Sequence, residues 1–541
     1  MERLHPYVKT LKDALDQGKI GRREFLRTAV LLGTSATLAS KWAYCVAPAR
    51  ASETLPSGGT LRIGMSVFPL KSPHQGEVVT ASNVIRGVCE YLTRTDQDNV
   101  TRPYLLSSWE ASDDLKTWTL KLRDDVTWRN GRKFTADDVV WNLKHVLDVS
   151  VGSSMIGLMK SYMMNDDGTE LWDASAIEKK DDFTVQLNLR RPQLAVPEHL
   201  FNHPMAIIDP DENGVFEIGA NGTGPFELVE LEPGRRAVLR ASKTYWGKPA
   251  YLDSVEYIDL GEDPAATMNA LRSGQIDGAM SIDSALFPVY RQIPDLTIYE
   301  VTTAETATVR GRVDQKPFDD PRVRKALKLA VDQEEIVNLA MGGLGAAGEH
   351  HHVSPVHPEY SPLPPFKRDV AAARALLAEA GYPDGFSAEL TVNQEPAWLM
   401  RAAQGMVNHW AEAGINVTLQ PLPPALYNDK WKEFPFAFTP WRHRPLGVIM
   451  LELAYRSGGP QNESGYSNAE FDALLTEAGG TLAIDRRREI VARLQQILQE
   501  DGPIVQPAWR KLYSVYHTKV RGYRMHPTSY IFAEQLAVEQ A

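Results

Sequence analysis

Glu349-His350-His351-His352, with His357 close behind, is the densest group of metal-ligating side chains in the 541-residue sequence. Neutral imidazole is a common metal ligand. Adjacent histidines on one loop seldom converge on one ion, however, and neither HExxH nor paired CxxC spacing accompanies them, which argues against a structural or catalytic metal centre. Just upstream, Gly343-Leu344-Gly345-Ala346-Ala347-Gly348 fits the letters of the dinucleotide fingerprint GxGxxG. That fingerprint works only when a strand precedes and a helix follows, so that a pyrophosphate meets the helix N-terminus. Here a helical pattern precedes and a polar loop follows, and a plain loop is expected. No GxSxG, no GxxxxGK[ST] and no cysteine in a catalytic-thiol context occurs, so the chain is not expected to be an enzyme. A secreted hydrolase is the enzymatic alternative, which a turnover assay would reveal.

The segment FTPWRHRPLG at 438–447 combines an indole with guanidinium and imidazole groups. A guanidinium donates in a fork to an anionic or oxygen-rich ligand end. It serves equally well as the partner of an internal acid, and Glu452 is a candidate for Arg444.

The elements that must position these groups follow an alternation of strands and capped helices, the pattern of an α/β protein. In TWTLKLR the apolar Trp118, Leu120 and Leu122 alternate with Thr117, Thr119 and Lys121, as in a strand with one buried face. Asn130-Gly131 makes a turn, and Thr135 with Asp138 sets up a capping box ahead of the stripe Val139, Leu143, Val146, Leu147. Further on, Asp319 or Asp320 caps a helix with Pro321 in its first turn and Gly342-Gly343 at its end. Helices expected at 369–380, 398–413, 469–478 and 485–500 each stop at or near a glycine.

The length and an apolar content of 43% allow more than one core. Residues 1–51 differ in kind. Gly21-Arg22-Arg23-Glu24-Phe25-Leu26-Arg27 precedes an apolar run at 28–39 and a small-x-small site, Ala49-Arg50-Ala51, which reads as a twin-arginine export signal cut after Ala51. The run is interrupted by Lys41 and is shorter than the roughly 20 residues of a membrane span. With nine Lys and Arg against four Asp and Glu removed in the signal, the remaining chain carries a formal charge of −16, which argues against binding nucleic acid. Cys45 lies in the signal and lacks a lipoprotein context. Cys89 alone remains, and it is expected to be a buried, inert thiol.

The order SWE, WTLKLR, TADDVVW along 107–147 resembles the extracellular solute-binding family 5, the large periplasmic proteins of peptide and nickel ABC importers. GGTLRIGM at 58–65, NGTGPFELVELEPGRRAVLRASKTYWG at 221–247, PFDDPRVRKALKLAVDQEEIV at 317–337 and NESGYSNAEFDALL at 462–475 are similar to further family segments in the same order.

The resemblance implies an α/β, periplasmic-binding-protein type II-like fold with two lobes and an inserted domain. Lobe I would comprise 53–80, 203–299 and 503–541, the insert 81–202, and lobe II 300–502, with hinges where the chain crosses between lobes. It implies a monomer without cofactor that holds a small solute in an interlobe cleft and delivers it to an inner-membrane permease and its ATPase subunits. The ligand would be an oligopeptide, an opine-like compound or another polar solute. A nickel-type carrier of metal or metal chelate, or a sensor feeding a receptor, is the alternative. In peptide-binding members a Trp-x-x-Asp stretch supplies an aromatic wall and a carboxylate for the peptide amino group. Here Trp441 is kept and Arg444 stands at the acid's place, which points toward an anionic or hydroxyl-rich ligand end. His443, Gln394, Trp398, Asn462 and His351 are further candidates for ligand contact. HHHVSPVHP looks like the family's proline-containing loop at the entrance or wall of the cleft.

Overall fold

The computed structural model describes residues 7–32, 34, 39, 55–70, 72–75, 78–459 and 461–540. The expected cleavage site, Lys41 and Cys45 lie outside these residues. The chain forms two compact units: residues 1–301 with 513–541, and residues 302–512. The chain passes between them twice, within the strands Leu296–Gly311 and Ala508–His517.

In the first unit, Thr60–Gly64 lies parallel to both Ser254–Ile258 and Gly278–Ala279. Arg236–Ala241 and Phe226–Glu232 extend this sheet in antiparallel fashion. A separate antiparallel sheet runs in the order Leu106–Ala111, Thr117–Leu122, Thr184–Asn188, Ile177–Asp181. Its strand Thr117–Leu122 buries Trp118, Leu120 and Leu122, the alternation read from the sequence. The helix Ala136–Leu147 begins with the complete Thr135/Asp138 capping box, in which Thr135 N donates to Asp138 Oδ2 at 2.8 Å. Cys89 is buried, and desolvation pushes its thiol pKa upward, so it stays protonated. Arg22 opens the helix Arg22–Leu31, whose Arg27 donates to Asn99 O at 3.1 and 3.2 Å. No described helix is long and apolar enough to cross a membrane.

The second unit packs four helices, Pro321–Leu329, Gln333–Met341, Val370–Glu379 and Trp398–Glu412, against strands Phe386–Asn393, Ile415–Leu422 and Phe436–Trp441. These three strands are parallel, as crossover helices between them require. Phe436–Trp441 then pairs antiparallel with Leu296–Gly311. The long helix buries Trp398, Leu399, Ala402, Ala403, Met406 and Trp410, a helical stripe that fills the core with Phe436 and Phe438. One expectation is corrected: the helix begun at Pro321 does not run unbroken to Gly342. It stops at Leu329, and the Asp332 side chain caps a second helix by accepting from Glu335 N, since Asp offers the backbone an alternative to helical bonding.

Candidate solute-binding site

The strand pair Leu296–Gly311 and Phe436–Trp441 carries the candidate Trp441, and its period of two sorts the side chains onto opposite faces. Ala307, Val309 and Phe438 enter the core, where the Trp398 ring meets Phe438 edge-on at 6.1 Å. Arg310, Thr439 and Trp441 emerge on the other face and converge on Glu463. This buried carboxylate accepts from Arg310 Nε at 2.9 Å, Thr439 Oγ1 at 2.6 Å and Trp441 Nε1 at 3.1 Å. Arg310 is fully buried, and its remaining nitrogens donate to Phe434 O and Trp431 O. Each of the three nitrogens of this buried guanidinium thereby donates a hydrogen bond, which offsets its desolvation. Trp441 itself is 7% exposed, with His352 edge-on at 5.5 Å and Trp431 at 5.9 Å. The sequence reading named Trp441 and missed Glu463 and Arg310. An arginine within the otherwise uncharged run TATVRG was the available sign.

The histidines are interior groups, not ligands displayed on a surface. His350, His351 and His352 are at most 1% exposed. His350 Nδ1 accepts from Gln506 N at 3.1 Å, and His351 Nδ1 from Val353 N at 3.4 Å. Gln506 Oε1 in turn accepts from Glu349 N and His351 N, and the Gln506 amide donates to Thr306 Oγ1 at 3.1 Å. His352 Nδ1 shares a hydrogen bond of 2.9 Å with the Tyr455 hydroxyl. Burial lowers the pKa of His351 and of His352 to about 3, so both imidazoles are neutral at physiological pH. Among the described residues no group of three or more His, Cys, Asp or Glu is arranged to hold a metal. The GxGxxG letters fall on a strand, Gly345–Ala347, that follows a helix and pairs with Ala508–His517. Gly348 is required there for close packing, since a Cβ would lie 2.2 Å from Gln506 O.

The remaining candidates disperse around this strand pair. His443 is buried, and its Nδ1 accepts from Ala304 N at 3.0 Å. Arg444 is half-buried, with Nη1 donating to His443 O at 3.1 Å, while its own carbonyl accepts from His357 Nε2 at 3.0 Å. Glu452, the acid considered as its partner, is instead gripped by Arg456 at 2.9 and 2.6 Å. An i, i+4 neighbour on one helix turn meets that carboxylate more readily than a residue outside the helix. Asn462 organises its own loop, donating to Arg456 O and Tyr466 O and accepting from Ser464 Oγ. Gln394 is exposed at the end of Phe386–Asn393, and Trp398 is buried.

Sequence reasoning also missed Glu305, Arg442 and Arg510. Glu305 is buried and accepts from Arg510 Nη1 at 2.7 Å and from Arg442 Nη1 at 3.4 and 3.5 Å. Burial alone would raise its pKa, but the two guanidiniums outweigh that and hold it below the ordinary carboxylate range.

Residues 101–448 match the family described as bacterial extracellular solute-binding proteins, family 5 Middle. Heme-binding protein A of Haemophilus influenzae is 25% identical over 460 residues, covering 79% of this chain and 82% of that one. Dipeptide-binding protein DppE of Bacillus subtilis is 25% identical over 472 residues, covering 83% and 86%. The structure of AgaA from A. tumefaciens R10, in complex with agropinic acid, superimposes with a TM-score of 0.79 at 23% identity, covering 89% of this chain and 99% of that chain. The fold is that of the type II periplasmic binding proteins. With residues 101–448 matched, well over half of its length, the chain belongs to family 5 of the bacterial extracellular solute-binding proteins, the periplasmic binding components of ABC importers.

Proposed function

We propose that this protein captures a small polar or anionic solute in the periplasm and delivers it to an inner-membrane ABC permease, without chemical turnover. The observation that carries the reading is the family match across residues 101–448. The departure at Arg444, where peptide binders of the family keep an acid, supports a ligand end that accepts hydrogen bonds rather than one that donates them. Trp441, held rigidly by Glu463, supplies an apolar wall. Gln394, Trp398, His443, Asn462 and His351 are proposed as outer contacts or supports of that wall. The relatives differ in what their names say they bind: heme in one, dipeptides in another. A metal-chelate cargo has less support, because the clustered histidines are buried and hydrogen-bonded to different neighbours.

Protein isolated from the periplasm without refolding tests the reading. A co-purifying small molecule in the native mass spectrum, released on acidification and restoring a higher melting temperature when added back, is the expected result. X-ray scattering with that molecule restored should show a smaller radius of gyration, as hinge closure requires. A protein that carries nothing and is stabilised by none of a broad library of peptides, organic acids and metal chelates would sink the proposal.

A further inference from the structure

The two guanidiniums beside Glu305 are unequal. Arg510 is largely buried and donates at 2.7 Å, whereas Arg442 reaches the carboxylate only at 3.4 and 3.5 Å from a side chain that is 54% exposed. Contacts of that length lie at the edge of hydrogen bonding, so Arg442 is held near Glu305 by charge and retains most of its five N–H donors. One carboxylate between two guanidiniums also leaves a positive excess.

A second observation lies beside the first. Arg510 sits over the Trp398 ring at 5.8 Å, and Trp398 is 3% exposed with no hydrogen-bond partner for its Nε1 among the described residues. A buried indole N–H without an acceptor is destabilising, and buried polar groups in folded proteins are nearly always partnered. Unspent guanidinium donors and a net positive charge therefore meet at one carboxylate, and the ring that carries the orphaned N–H lies against one of the two guanidiniums.

We propose that Arg442, Arg510 and Trp398 form a carboxylate-binding subsite, with Arg442 as the residue that selects for an acidic solute. Glu305 is its counter-charge: it keeps both guanidiniums in place in the empty protein and yields part of their bonding when a solute carboxylate arrives. The solute carboxylate is taken in a fork by Arg442 with further donation from Arg510. Nothing in Glu305 itself offers a bond to an anion, so its removal should favour binding. This subsite rests on the solute-binding reading and adds the chemical class of the cargo.

Ligand-stripped protein incubated with an equimolar mixture of Ala-Ala, Ala-Ala-Ala, their C-terminal amides, citrate, agropinic acid and mannitol, read by native mass spectrometry, decides it. The proposal expects that every retained species carries a free carboxylate. Arg442→Ala should reduce retention of the best-bound acid ten- to a hundredfold without lowering the melting temperature of the empty protein by more than a few degrees. Glu305→Gln should leave that retention unchanged or raise it, an outcome that a purely structural ion pair would not produce. Retention of amides or mannitol in preference to acids would overturn the subsite while leaving the solute-binding reading intact. So would equal losses of binding in Arg442→Ala and Glu305→Gln. Retention of nothing, by a protein that also co-purifies with nothing, would overturn both.

Discussion

Glu463 is the residue on which the geometry around Trp441 depends. It neutralises the buried Arg310 and accepts from the indole, so Glu463→Gln leaves a guanidinium uncompensated in the interior. Breaking a buried pair on one side costs about 3–5 kcal/mol, and the unfolding midpoint in urea should fall accordingly, with a change in tryptophan emission as Trp441 competes with Arg310 and Thr439 for the one remaining acceptor oxygen. A loss under about 1 kcal/mol would mean that the pair is solvated. Arg444 makes the contrasting case. Its Nη1 donates to the neighbouring His443 carbonyl, and the acid proposed to hold it is gripped by Arg456. A hydrogen bond to a charged group is worth about 1.5–3 kcal/mol. On its proposed role as donor to the solute, Arg444→Ala should weaken binding roughly ten- to a hundredfold while the melting temperature of the empty protein changes little. A large drop in stability with unchanged affinity would assign the residue to the fold.

Among the elements, the helix Ala136–Leu147 shows how local sequence fixes a boundary. Its capping box closes two backbone donors that would otherwise face no partner. Thr135→Ala should cost about 1 kcal/mol, measurable by chemical denaturation, and Thr135→Ser should restore most of it. An alanine variant as stable as wild type would show that Asp138, which also accepts from Arg132 at 2.6 Å, carries the helix start alone. The strand Leu296–Gly311 works differently. Its residues alternate between a core of Ala307 and Val309 and a polar face of Thr306, Thr308 and Arg310, both buried. A one-residue slip in its pairing with Phe436–Trp441 would move Arg310 into the core, so the register is strongly specified.

At the scale of the molecule, the buried neutral histidines make stability depend on pH in a stated direction. Burial depresses the folded-state pKa of His351 and His352 from 6.5 to about 3, so below 6.5 the unfolded chain binds protons that the folded chain does not. Stability is therefore fully present above about 6.5 and falls as the pH drops toward 3, by about 1.4 kcal/mol per pH unit for each such histidine. His74, His199 and His526 in the other unit are depressed in the same way. Thermal unfolding across pH 4–8 should show this slope, and His351→Asn should make it shallower even where it lowers stability overall. A flat profile would mean that the loop admits water and protons. Export is the other property of the whole chain. If Arg22 and Arg23 direct the twin-arginine route, replacing both with Lys should leave unprocessed precursor in the cytoplasm, whereas normal periplasmic accumulation would exclude that route.

What the sequence determined by itself is local and ordered along the chain. The alternation in Thr117–Leu122, the Thr135/Asp138 box, the proline at 321 and the glycine stops depend on backbone chemistry within a few residues. Their succession also carried the family resemblance. The same locality explains why Trp441 and Arg444 could be singled out, since they stand in one short segment. Only the tertiary structure decided the partners. Glu463 lies 153 positions from Arg310, and Arg510 lies 205 from Glu305, and no spacing rule reaches that far. The histidines illustrate the same limit in reverse. Their adjacency in sequence suggested a ligand set, but the fold buried each imidazole against a different neighbour, Gln506, Val353 and Tyr455. Whether a polar side chain is a ligand contact or part of the core is settled by which chain segments are brought around it, and that is a property of packing between distant segments rather than of composition or period.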